Sequence, residues 1–187
     1  MRRIIVAITG ASGSTFGIRA LELLRSISDV ETHLIMSGPA KTTLTIETDK
    51  SVAEVEALAD HVHGTRDIAA PTSSGSFRTA GMLVAPCSIK SLSVIANSMS
   101  ADLIGRSADV TLKERRPLVL MVRETPLHLG HLRLMQQAAE IGAVVFPPVP
   151  AFYNKPESLD DVVTHSVGRA LEHLGIEVAG LDRWGGG

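Results

Sequence analysis

Val6-Ala7-Ile8-Thr9-Gly10-Ala11-Ser12-Gly13-Ser14-Thr15-Phe16-Gly17 reads as a buried strand, a Gly- and Ser-rich turn and the first residues of a helix. The run from Arg3 to Ile8 is apolar and β-branched, which suits a strand covered on both faces. Gly10 and Gly13 let the backbone turn sharply and approach a ligand closely. The following helix points unsatisfied N–H groups at the turn, which favours an anion. A phosphate-bearing ligand is expected there. The spacing Gly10-x-x-Gly13-x-x-x-Gly17 is neither the dinucleotide fingerprint nor a P-loop. An ordinary βα turn without a ligand uses the same residues.

The same alternation continues along the chain. Ile18, Leu21 and Leu24 have the spacing of an amphipathic helix over Phe16 to Ser26. Val30 to Met36 forms a second strand, and Pro39 opens a helix to about Glu47. Ser51 to Asp60 reads as a short polar helix and Gly64 to Thr79 as a long loop, a length that points to function or disorder. Gly81 to Ala85 is a buried strand, followed by a helix to about Asn97 and another over Ala101 to Glu114. Leu118 to Val122 is a strand, Leu127 to Ile141 a helix, Ala143 to Phe146 a strand and Ser158 to Leu174 a last helix. Strands alternating with crossover helices predict an α/β fold with a central parallel sheet and helices on both faces. Neither a repeat nor a linker divides the chain, so residues 1–187 are expected to form one domain.

Composition narrows the function. A net charge of −2, with no long basic run, gives no reason to expect nucleic acid. The short apolar run after Met1-Arg2-Arg3 is neither a secretory signal nor a membrane span, so the cytoplasm is the expected location. A single cysteine, Cys87, rules out an internal disulfide framework. Aromatics are only 3%, so the core must be aliphatic.

In a parallel sheet, ligands bind beyond the carboxyl ends of the strands. Those ends carry Thr9–Ser14, Ser37–Gly38, Pro86–Ser91 and Arg123–Pro126. Ser12, Ser37, Ser88 and Ser91 can donate to a phosphate or a ring edge, and each also suits a helix N-cap. Arg106 and Lys113-Glu114-Arg115-Arg116 make a basic-rich patch, which also suits a solvated helix end. Arg123-Glu124 directly follows a buried strand and is expected to face the ligand. His61 and His63, and His128 and His131, lack metal-site spacing and read as surface or capping residues. Cys87 has no evident His-Asp partner and reads as packing.

Several segments together resemble the UbiX-like flavin prenyltransferases. They are Thr9-Gly10-Ala11-Ser12-Gly13, Glu47-Thr48-Asp49, Ser73-Ser74-Gly75-Ser76, Pro86-Cys87-Ser88, the run Ala108 to Leu120 with its Leu112-Lys113-Glu114-Arg115-Arg116-Pro117, Arg123-Glu124-Thr125-Pro126 and Pro150-Ala151-Phe152-Tyr153. The resemblance spans essentially the whole chain, through Arg183-Trp184, and is nearest to enterobacterial members that serve ubiquinone synthesis.

The resemblance implies an α/β, three-layer Rossmann-like (flavodoxin-like) subunit with a central parallel sheet, assembled as a dodecamer from trimers, with reduced FMN as a bound substrate and dimethylallyl phosphate as the second. It implies prenylation at N5 and C6 of the flavin, release of phosphate, and delivery of prenylated FMN to a UbiD-like decarboxylase. No metal is implied. By matching position, Gly10, Ala11, Ser12 and Ser37 hold FMN, with Ser88, Ile89, Lys90, Ser91, Arg106 and Arg123. Lys113, Glu124, Tyr153 and Arg169 match positions that grip dimethylallyl phosphate, partly from neighbouring subunits. Glu47 and Ser12 match positions that handle protons near N5, so Ser12, Glu47, Lys113 and Glu124 are the implied catalytic set. Trp184 matches a tail aromatic near the site. The chain departs from some relatives at Ile68, where they carry a Trp able to stack on an allylic cation, and at Gly38-Pro39, where they carry Lys and Ala. An FMN carrier, or a non-catalytic subunit of a decarboxylase system, is the alternative reading. A peptidyl-cysteine decarboxylase of the same superfamily fits less well, for want of a His at a strand end.

Overall fold

The computed structural model describes residues 1–181; Arg183, Trp184 and the terminal glycines lie outside the described residues. Six strands form one parallel sheet in the order β3-β2-β1-β4-β5-β6. They are β1 (Arg2–Ile8), β2 (Val30–Met36), β3 (His61–His63), β4 (Gly81–Cys87), β5 (Leu118–Val122) and β6 (Val144–Val145). The helices are α1 (Ser14–Arg25), α2 (Gly38–Glu47), α3 (Val52–Glu56), α4 (Ile89–Ala96), α5 (Leu103–Lys113), α6 (Leu129–Glu140) and α7 (Leu159–Glu172).

The side-chain alternation of β1 sorts the core into two layers. Ile4, Val6 and Ile8 face α1 and α7, where Leu21, Leu24, Val167 and Leu171 pack against them. Ile5 and Ala7 face α4 and α5, where Leu92, Leu103 and Ala108 close the other side. Every residue of β4 and β5 is buried, which is why these strands read as unbroken apolar runs.

Gly17 explains the third glycine of the opening stretch. A Cβ there would lie 2.4 Å from the Ala85 carbonyl oxygen and 2.6 Å from Ile8 Cγ1, so glycine lets α1 sit directly on the sheet. Gly17→Ala forces the helix outward, and overpacking of this kind costs about 1–3 kcal/mol. Chemical denaturation should show a lower midpoint with an unchanged slope.

The structure corrects the region after Ser51. The polar helix ends early, with a Ser51–Glu54 capping box at its start. Asp60 accepts hydrogen bonds from Thr32 N at 2.7 Å and Thr32 Oγ1 at 2.9 Å, turning the chain into the edge strand β3. Three residues of strand leave too short a pattern to read. His61 and His63 are therefore neither caps nor isolated surface groups. They stack on the buried His33 with centroid separations of 4.7 and 5.2 Å. His128 does cap a helix, its Nδ1 accepting from Gly130 N at 3.0 Å.

The loop after β3 is anchored by two arginines of the basic-rich patch. Arg106 Nε donates to the Ser73 carbonyl at 3.1 Å, and Arg116 donates to the carbonyls of Gly75 at 2.7 Å and Phe77 at 2.8 Å. Its own turn, Pro71–Ser73, packs Thr72 against Ser107 of α5 through a 2.9 Å hydroxyl contact.

Candidate active site

The chain runs from β1 outward to β2 and β3, then crosses back to β4 and continues the other way. The crevice between β1 and β4 is therefore the topological switch point, where such sheets bind ligands. A cavity of about 480 Å³ opens there. Gly10, Ala11 and Ser12 line it from the end of β1, and Ser37, Gly38 and Pro39 from the end of β2. Ser88, Ile89, Lys90 and Ser91 come from the end of β4, and Arg123 and Glu124 from the end of β5.

Local chemistry builds each wall. Thr9 joins two of them, since its Oγ1 donates to the Pro86 carbonyl at 2.7 Å and accepts from Ser88 N at 2.8 Å. Gly13 caps α1 with φ of 100°, a left-handed conformation that favours glycine. A Cβ on Gly10 would lie 2.3 Å from Pro39 Cβ, so glycine there lets the β1 and β2 ends meet. Ser37 and Ser88 are N-caps of α2 and α4, accepting from Ala40 N at 3.1 Å and Ser91 N at 3.2 Å. Cap and cavity wall are thus the same residues. Ser12 does not cap α1.

The amides that the sequence assigns to a ligand anion are engaged by the chain itself. Glu47 Oε2, at the end of α2, accepts from Gly13 N at 2.8 Å and from Ser14 N at 3.1 Å. Burial opposes charge on Glu47. Hydrogen bonds from Ser12, Gly13 and Ser14, with the positive charge of Arg123, outweigh that opposition and hold its carboxyl below the ordinary range. Glu47 is accordingly an ionised acceptor behind the turn. It fixes the loop and orients the Ser12 hydroxyl. Cys87 is fully buried, and burial pushes its thiol up to about 12, so it stays protonated and is packing material.

Besides Glu47, which sits behind the turn, four of the expected residues do not line this cavity within one protomer. Arg106 pairs with Asp109 at 2.9 Å and holds the Ser73 carbonyl. Lys113 Nζ lies 2.6 Å from Glu114 Oε1, beside Gly75. The Tyr153 hydroxyl is 3.2 Å from His165 Nε2, and Arg169 pairs with Glu172 on the surface. Ile68 is 72% exposed on the protomer. Trp184 lies outside the described residues.

Two further lining residues, Thr65 and Asp102, escape the sequence reading. Asp102 is the N-cap of α5, accepting from Gly105 N at 2.9 Å, and an Asp before a helix is a visible cap signal. Thr65 carries no such signal. It reaches the cavity because its carbonyl accepts from Leu103 N at 2.8 Å. Among the described residues, no helix is long and apolar enough to cross a membrane.

A family model described as Flavoprotein matches residues 1–170. The flavin prenyltransferase UbiX of Escherichia coli strain K12 is 62% identical over 176 residues, covering 94% of this chain and 93% of that protein. A dodecameric FMN-dependent UbiX-like decarboxylase from Escherichia coli O157:H7 superposes with a TM-score of 0.96 at 49% identity, covering 98% of this chain and 100% of the other. AnUbiX (PadA1), solved with FMN and dimethylallyl pyrophosphate, superposes with a TM-score of 0.97 at 53% identity, covering 100% of this chain and 98% of that one. A serine-lined cavity at the β1–β4 switch point and near-identity of the whole fold with these proteins lead to one conclusion: the chain belongs to the UbiX flavin prenyltransferase family.

Proposed function

We propose that this protein transfers the dimethylallyl group of dimethylallyl phosphate to N5 and C6 of reduced FMN and releases inorganic phosphate. The prenylated FMN then passes to a UbiD-like decarboxylase. The observation that carries the reading is the switch-point cavity, whose walls are glycine turns, capping serines and the Arg123–Glu124 pair, in a chain of this family. Residues 1–187 act as one flavin-binding domain, in the cytoplasm.

The roles follow from chemistry. Gly10, Ala11, Ser12, Ser37, Ser88, Ile89, Lys90, Ser91 and Arg123 hold the flavin through backbone amides, hydroxyls and one guanidinium, and Arg106 supports them through the Ser73 loop. Reduced FMN supplies an electron-rich ring. As the C–O bond of dimethylallyl phosphate breaks, the departing phosphate takes the electron pair and gains charge. Lys113 and Arg169 stabilise that charge, the first as a compact ammonium and the second as a planar fork, and Tyr153 adds a donor. Glu124 orients the phosphate side of the pocket. Ionised Glu47 holds Ser12 as a positioned hydroxyl for proton movement at N5. Departing phosphate can accept the proton lost from C6.

Lys113, Tyr153 and Arg169 lie off the cavity of their own protomer. The phosphate grip is therefore assembled from neighbouring copies, in a dodecamer. The reaction is tested by anaerobic incubation of the purified protein with reduced FMN and dimethylallyl phosphate. A flavin heavier by one prenyl unit, formed together with inorganic phosphate, is the expected result. Tightly bound but unchanged FMN would instead support the carrier reading.

A further inference from the structure

The edge of the sheet farthest from β6 carries a cluster that the flavin chemistry does not use. Parallel register sets His33 of β2 beside His61 of β3 and Ile35 beside His63. Two-residue alternation puts Glu31, His33, His61 and His63 on one face. Glu31 Oε1 lies 3.0 Å from His33 Nε2 and 3.4 Å from His61 Nε2. Ligand atoms of these three residues all fall within 4.8 Å of one another.

The two carboxylate–imidazole separations match neighbouring positions of a coordination shell. Imidazole nitrogens and carboxylate oxygens bind zinc at about 2.1 Å, so neighbouring ligand atoms at 90–109° stand about 3.0–3.4 Å apart. We propose that Glu31, His33 and His61 form a binding site for a divalent transition-metal ion of the zinc type, with the remaining coordination position open to solvent beside the exposed His61. The donor set, two imidazoles and one carboxylate, suits such ions and not magnesium or calcium, which take oxygen ligands.

The surroundings support the assignment. His63 Nε2 lies 2.9 Å from His33 Nδ1, so it can accept the Nδ1 proton and leave His33 Nε2 free for a metal. A shift of both rings to the Nδ1–H tautomer therefore prepares His33 without changing any charge. One group competes. Arg3 Nε donates to the same Glu31 oxygen at 3.2 Å, with its guanidinium 4.7 Å from the Phe77 ring centroid. Metal binding displaces that donor from Oε1.

The ion would cross-link β2 to a three-residue edge strand that leads straight into Thr65 at the flavin cavity. Its effect is on the stability of this edge, independent of the prenyl-transfer reading. The probe is Zn²⁺, titrated by calorimetry into the chelator-treated, dialysed full-length oligomer, with thermal unfolding followed in parallel. One Zn²⁺ per chain and a raised unfolding temperature are expected. His61→Ala, at a half-exposed position, and Glu31→Gln should each weaken uptake by about 10-fold or more. His128→Ala, in the tilted His128–His131 pair, should leave uptake unchanged. Arg3→Gln should tighten uptake, since it removes the competing cation. Absence of saturable uptake by the wild type overturns the proposal, and so does uptake that is equal in wild type, His61→Ala and Glu31→Gln. Circular dichroism of His61→Ala and Glu31→Gln separates a lost ligand from a lost fold.

Discussion

Replacing Arg169 with alanine should lower prenyl transfer by about 10²–10³-fold while FMN binding stays at the wild-type level. The magnitude is that of removing one donor aimed at developing transition-state charge. The division between the two effects comes from geometry. Arg169 lies off the switch-point cavity of its own chain, paired with Glu172 on a surface where its side chain is 44% exposed. The pair is partly buried, with the Glu172 side chain 16% exposed, so circular dichroism and thermal unfolding of the variant separate lost turnover from a lost fold. Flavin binding by fluorescence quenching and turnover by phosphate release separate the two quantities. FMN lost together with turnover would show that the site does not divide into a flavin half and a phosphate half. A mixing experiment extends the test. Arg169→Ala protomers co-assembled with Arg123→Ala protomers should recover part of the activity, because some shared sites then carry both wild-type residues. No recovery from a confirmed mixed oligomer sinks the shared site.

Glu47→Gln should have the second large effect, about 10–100-fold on turnover, with weaker FMN binding. The carboxylate accepts from Gly13 and Ser14 of the turn and engages Ser12. Hydrogen bonds to a charged acceptor contribute about 1.5–3 kcal/mol, and each 1.36 kcal/mol is tenfold in rate. Glutamine keeps one acceptor oxygen but carries no charge, and its N–H₂ cannot accept from the Gly13 and Ser14 amides. The pH dependence carries the sign. The folded-state carboxyl of Glu47 is held below its ordinary value, so its stabilisation of the turn is fully present above the unfolded value, about 4. It is lost as pH falls through the lower folded value. Wild-type FMN affinity should therefore decline only on acidification below about pH 4. Glu47→Gln should be weak already at neutral pH and lack that acid limb. An unchanged profile in the variant would remove Glu47 from the turn's support.

The β-α alternation was legible because it rests on neighbours close in sequence. Periods of two and of three to four residues identify strands and amphipathic helices, and the buried runs of β1, β4 and β5 left little ambiguity. The cavity walls were legible for a related reason. Once the sheet is parallel, its ligand end is fixed, and the residues following each strand are read directly. Ser37 and Ser88 answered both to capping and to the cavity, since an N-cap hydroxyl at a strand end already faces the crevice. The Leu112–Pro117 and Pro150–Tyr153 segments carried the family resemblance, although within one protomer Lys113 and Tyr153 lie off the cavity.

What stayed out of reach depends on contacts between distant parts of the chain. The Glu47 carboxylate meets Gly13 across 34 residues, and no local pattern announces that it takes the amides of α1. Asp60 and Thr32 exchange hydrogen bonds that create β3, a strand too short to show a period. Only that strand brings His61 and His63 onto His33. The opening turn, Thr9 to Gly17, shows the division within a few residues. Its amino acids alone specify a sharp strand-to-helix junction, because a left-handed residue and two close approaches leave room only for glycine at positions 13, 10 and 17. Which acceptor those amides meet is set by where α2 ends, and that position follows from sheet order and packing rather than from the residues of the turn.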